Sequence, residues 1–79
     1  MARHGTPTPG QAILEGIEWL KMDKAEFARR IGVPMETLEG LIAGSVEITR
    51  ELAESLESVT GSPAAYWRML ASEAKKTNN

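Results

Sequence analysis

Residues 23–44, DKAEFARRIGVPMETLEGLIAG, constrain the fold more than any other stretch. Phe27, Ala28 and Ile31 fall on one face of a short helix, and Leu38, Leu41 and Ile42 repeat that spacing in a second. Asp23, followed by Glu26, is a capping pair for the first helix. Gly32 stands where that helix must stop and the chain reverse, a place for positive φ. Pro34 brings a fixed φ to the start of the second helix, and Gly44 ends it. Two short helices around a glycine-containing turn form the helix-turn-helix pattern. Small Ala28 suits it, because the second helix must cross the first closely. The plainer alternative is an αα-hairpin inside a small bundle.

With 79 residues the chain makes one small domain, which buries only about 60% of the surface its unfolded form exposes. No cysteine is present, so neither a disulfide nor a thiolate metal site reinforces it, and helix packing, aided by dimerisation, must suffice. The N-terminal MARHGTPTPG lacks an apolar targeting core, and no apolar run approaches the ~20 residues that span a bilayer. A cytoplasmic location away from membranes is expected. The net charge of −2 opposes a phosphate partner, unless the distribution of charge overrides the total.

Three regions are expected: an arm over residues 1–7, a helical domain over 8–76 and a frayed tail over 77–79. Arg3 and His4 are the arm's functional groups, and a basic arm can reach a DNA groove. Thr8 as N-cap and Pro9 at the first position open a helix running to about Met22. Ile13, Leu14, Ile17 and Leu20 form its buried stripe, and Trp19 beside it is either an edge of the core, the favoured reading, or a contact surface. Gly16 weakens this helix by up to ~1 kcal/mol relative to Ala, which suggests a close helix crossing. After Gly44, Ile48 plugs a short loop and Thr49 caps a helix over 50–60 that buries Leu52, Leu56 and Val59. Gly61 ends it. Ser62 and Pro63 form the next cap and first position, and the last helix runs through Tyr66, Trp67 and Leu70 to about Lys75. Lys75 and Lys76 complement its dipole. No strand pattern or repeat intervenes, so the fold class is all-α with five helices.

PGQAILEGIEWL, DKAEFARRIGVP, LIAG followed by EIT, and LESVTGSPAAYWRML together resemble the HigA-type antitoxins, small members of the lambda-repressor-like (Xre) helix-turn-helix group. The Gly61-Ser62-Pro63-Ala64-Ala65-Tyr66-Trp67 run is the most distinctive part of a match covering about Pro9 to Leu70. The resemblance implies a five-helix domain, often a homodimer, that binds palindromic operator DNA, neutralises a partner ribonuclease toxin and represses its own operon. The domain also serves as the N-terminal module of larger proteins with a metallopeptidase-like domain. That second domain is not expected in a chain stopping at Asn79. Residue by residue, the resemblance puts Met35, Glu36, Thr37, Glu39 and Gly40 on base edges in the major groove. It puts Asp23 and Lys24 against one phosphate, and Arg50 with the Ser45 and Val46 backbone N–H groups against the flanking backbone.

One departure falls on this surface. The span 31–49 contains Glu36, Glu39 and Glu47 and neither Lys nor Arg. A carboxylate can accept from cytosine N4, yet each carboxylate–phosphate pair at ~6–8 Å costs roughly 0.5–2.5 kcal/mol before salt screening. Lys24 and Arg50 are the cations best placed to offset this, while Arg29 and Arg30 read as a solvated face paired with Glu26. Two functions follow: a dimeric operator-binding regulator of double-stranded DNA, or a protein-interaction module whose acidic face from Glu36 through Glu57 meets a basic protein such as a toxin. An enzyme is not expected. A lone histidine, no cysteine and no Gly-rich phosphate loop leave no nucleophile–base pair, and Glu36 with Glu39 reads as a solvated face. No metal and no cofactor are expected. For self-association, Tyr66, Met69 and Leu70 on the last helix form the expected dimer interface, with Trp67 turned inward.

Overall fold

Side-chain acceptors fix the helix starts. Thr8 Oγ1 accepts from the Gln11 N–H while the Gln11 side chain accepts from the Thr8 N–H, a closed capping box. Asp23 Oδ1 accepts from Glu26 N–H at 2.8 Å, and Thr49 Oγ1 from Leu52 N–H at 3.2 Å. The computed structural model describes residues 7–77, and among them the chain is all-α: α1 (Pro9–Leu20), α2 (Lys24–Ile31), α3 (Met35–Ala43), α4 (Arg50–Thr60) and α5 (Ala64–Thr77). Arg3, His4, Asn78 and Asn79 lie outside the described residues.

Helix ends differ from expectation in α1 and at both ends of α5. α1 stops at Leu20 rather than Met22, because Lys21 turns left-handed at φ 59°. Lys21 and Met22 then donate to the Glu18 and Ile17 carbonyls, the same paired closure that Gly32 and Val33 make onto Arg29 and Ala28 after α2. Lys21 does without glycine what Gly32 does with it. Lys21→Gly is therefore expected to stabilise the fold by about 0.5–1 kcal/mol, read as a higher denaturant midpoint at unchanged m-value. The second difference is at α5, which opens one residue late. The Pro63 carbonyl accepts from Tyr66 and Trp67, and Glu57 Oε1 reaches across from α4 to take the Ala64 N–H at 3.2 Å. Ser62 is no cap, since the Ala64 N–H that its hydroxyl would take goes to Glu57 instead. At its other end α5 runs on to Thr77, past the expected stop near Lys75.

α4 packs along α5, α2 lies against α3 and α4, and α1 crosses both α3 and α5. The core at this junction is Ile13, Phe27, Leu38, Leu41, Leu56, Trp67 and Leu70, with Ala12, Ala28 and Ala53 permitting close approach. Ile48 packs on its margin as the expected plug. The α1 stripe is narrower than its sequence suggested, because Ile13 and Ile17 point inward while Leu14 remains 42% exposed. Gly16 is not the close crossing either, since a Cβ there would meet only the Thr60 methyl at an ordinary 3.7 Å. The crossing is at Gly10, where a Cβ would overlap the Ile42 carbonyl of α3.

Candidate nucleic-acid interface

Leu38 and Leu41 anchor α3 in the core, and helical geometry then decides what the same helix shows to solvent. Met35, Glu36 and Glu39 are exposed and Thr37 is half-buried. These expected base-reading positions share the outward, N-terminal part of α3. Gly40 does not join them. Its Cβ direction is filled by the Val46 side chain, and Ser45 Oγ lies beside it, so this position faces the α3–α4 turn.

That turn also reassigns two expected phosphate contacts. The Gly40 carbonyl accepts from the N–H groups of Gly44, Ser45 and Val46 at 2.9, 2.9 and 3.2 Å. The Ser45 and Val46 amides thus complete the end of α3 and are not free donors for a phosphate. The exposed Ser45 hydroxyl also donates to the Gly40 carbonyl, at a long 3.4 Å, a bond it would exchange on meeting a phosphate. Asp23 is likewise committed, because its carboxylate caps α2 and has no proton to donate to a phosphate.

The charges pair differently from the sequence reading. Lys24 Nζ lies 3.7 Å from Glu39 Oε2, so α2 brings a cation to one carboxylate of the reading helix. Glu47 meets Lys75 of α5 at 2.8 Å, on the wall of a cleft of about 740 Å³ between the start of α1, the α3–α4 loop and α5. The hydrogen bond and charge of Lys75 hold the Glu47 carboxyl below its ordinary pKa. Glu36 and Arg50 make no ion pair among the described residues. Arg29 and Arg30 bind Glu26 at 2.6 and 2.8 Å, as expected, and the Arg30 hydrogen bond followed by the Arg29 charge lowers the Glu26 pKa. That pairing stabilises the folded chain above the ordinary glutamate range and is lost as the pH falls through the lowered value.

Of the expected self-association residues, Leu70 is enclosed in the protomer's own core and has no surface to offer a second copy. Trp67 is also inside, at 2% exposure, with Tyr66 packed edge-on at a centroid distance of 5.7 Å. Tyr66 is half-buried and Met69 is 43% exposed. The largest surface aromatic is Trp19, 84% exposed, so of its two sequence readings the favoured core edge gives way to the surface one. The signal in its register is Glu15, an exposed acid one turn before Trp19 on the same flank of α1.

No protein-family model matches the chain. An uncharacterised helix-turn-helix-type transcriptional regulator of Escherichia coli (strain K12), YddM, is 35% identical over 82 residues, covering 98% of this chain and 85% of that one. Among solved structures, a candidate antidote protein of a plasmid maintenance system from Nostoc punctiforme superimposes with a TM-score of 0.84 at 25% identity, over 95% of this chain and 82% of that one. Neither relative is described as an enzyme. With its exposed α3 set against α2 and a curated relative matched over nearly its whole length, this chain belongs to the helix-turn-helix-type transcriptional regulators.

Proposed function

We propose that the protein is an operator-binding repressor of the HigA antitoxin type, acting as a homodimer over residues 8–76 and also neutralising a toxin. The carrying observation is the α3 surface: Met35, Glu36 and Glu39 stand clear of the core on a helix fixed by Leu38 and Leu41. In this reading α3 enters the major groove amino end first. Met35 and Thr37 supply apolar and hydroxyl contacts, and Glu36 accepts from a cytosine amino group. Lys24, Arg50 and the Ser45 hydroxyl hold phosphates on either side. The Lys24–Glu39 pair supports this reading, because it offsets one of the two carboxylates that a duplex would otherwise meet bare. A dimer contact through Met69 and the exposed part of Tyr66 brings two such helices to a palindromic site.

Titrating the protein against its own upstream DNA tests this. Two cations per protomer give a dimer four phosphate neutralisations, so log K should fall with log salt at a slope of about −3 to −4. Glu36→Gln should tighten binding by about 3–30-fold at low salt, and Glu39→Gln by less, since Lys24 already compensates that carboxylate. No binding by the native chain at low salt, together with binding by the Glu36→Gln/Glu39→Gln double variant, would favour the protein-interaction reading instead. The unpaired Glu36 is the observation that keeps that second reading in play.

A further inference from the structure

We propose that the end of α1 carries a second docking surface, an acidic aromatic cradle centred on Trp19 that takes an arginine side chain of a basic protein partner. Trp19 lies on the last turn of α1, 84% exposed, in a domain whose other tryptophan is fully enclosed. One side of its indole opens on a recess shared with Glu15, Glu18 and Lys21. Trp19 and Glu15 also border a shallow cleft with Gly16, Thr60, Tyr66 and Trp67. Glu15 and Glu18 make no ion pair among the described residues. An exposed indole beside unengaged carboxylates attracts a planar cation, which can stack on the ring and donate to the acids together.

Gly16 supports this assignment. No helix crossing requires it, since a Cβ would find only the Thr60 methyl at 3.7 Å, and it weakens α1. What it provides is an open floor beside the indole.

Charge selects the occupant. An isologous contact between two copies would bring four carboxylates, Glu15 and Glu18 of each, to one seam with only two Lys21 ammonium groups to offset them. A nucleic acid would bring phosphates to those acids. A basic protein meets neither penalty. No α3 residue lines either recess, so this surface and the reading helix can be occupied at once. The proposal does not rest on DNA binding.

The test is a titration of the full chain with amidated hexa-arginine and hexa-lysine peptides, following Trp19 fluorescence and the two indole N–H resonances. Arginine should bind more tightly than lysine and shift the exposed Trp19 indole more than that of Trp67, which borders the same cleft from within the core. Trp19→Ala, which leaves every charge in place, should weaken hexa-arginine binding about fivefold. Glu15→Gln/Glu18→Gln should weaken it at least as much, and Glu54→Gln, on the far acidic face of α4, should not. Equal binding of the two peptides, or undiminished binding by Trp19→Ala, would reduce the effect to general charge attraction and overturn the proposal. A Trp19-dependent dimer in sedimentation would overturn it in favour of a second copy. Operator binding by Trp19→Ala should match the native chain, which separates failure here from failure of the DNA reading.

Discussion

Replacing Trp67 with alanine is expected to cost about 3–5 kcal/mol, the largest effect of any single substitution in this domain. The indole is the biggest fully buried side chain, and it fills the space where α5 meets α1 and α4. A chain of this length has only about 4–12 kcal/mol of stability in total. The variant should therefore melt roughly 15–30 °C lower, or be largely unfolded at 37 °C, as read by circular dichroism. Trp67→Phe sharpens the reasoning. The buried indole Nε1–H finds no acceptor among the described residues, and such an orphan donor costs about 1–3 kcal/mol. Phenylalanine removes the orphan along with part of the ring, so the two changes oppose each other. Its cost should be well under half that of alanine. A Phe variant as unstable as the Ala variant would show that volume alone governs this site.

The second large effect is expected at Gly10. A single methyl there overlaps the Ile42 carbonyl oxygen, and backbone cannot swing aside as a side chain can. Gly10→Ala should destabilise the fold by about 2–3 kcal/mol, although alanine is the better helix former by about 1 kcal/mol. Gly16→Ala in the same helix is the control. It meets only a methyl group at van der Waals distance, so the propensity gain should dominate and stabilise the chain by about 0.5–1 kcal/mol. Opposite signs in chemical denaturation would locate the α1–α3 crossing at Gly10. Equal signs would contradict it.

These two glycines show where sequence reading stops. Both sit in α1; the sequence pointed to Gly16 as the crossing, and the docking of α3 places it at Gly10 instead. Features that depend on the nearest few residues were legible. The caps at Thr8, Asp23 and Thr49 and the reversals at Gly32, Gly44 and Gly61 all stand where the sequence put them. Lys21 escaped because a non-glycine residue took the left-handed turn. α5 opened late because Glu57, seven positions upstream, supplied an acceptor that no local motif announces. At the candidate site, the exposed run on α3 followed from the inward spacing of Leu38 and Leu41. The pairing of Lys24 with Glu39 and the use of the Ser45 and Val46 amides by Gly40 needed the third dimension. Leu70 and Trp19 exchanged inside and outside for a similar reason. Each lies near the border of an apolar stripe, and the neighbouring helix decides which side of the border is covered.

The ammonium that α2 holds over Glu39 has a consequence for how this protein would search a chromosome. Under the proposed reading, any phosphate approaching Lys24 displaces a carboxylate already there, so attachment is an exchange of anions rather than a simple gain. That handicap is the same at every position along a duplex. It lowers residence on random sequence and on the operator by the same factor, leaving the ratio between a matched site and a mismatched one unchanged. Selectivity, more than grip, would then set how the operator is found.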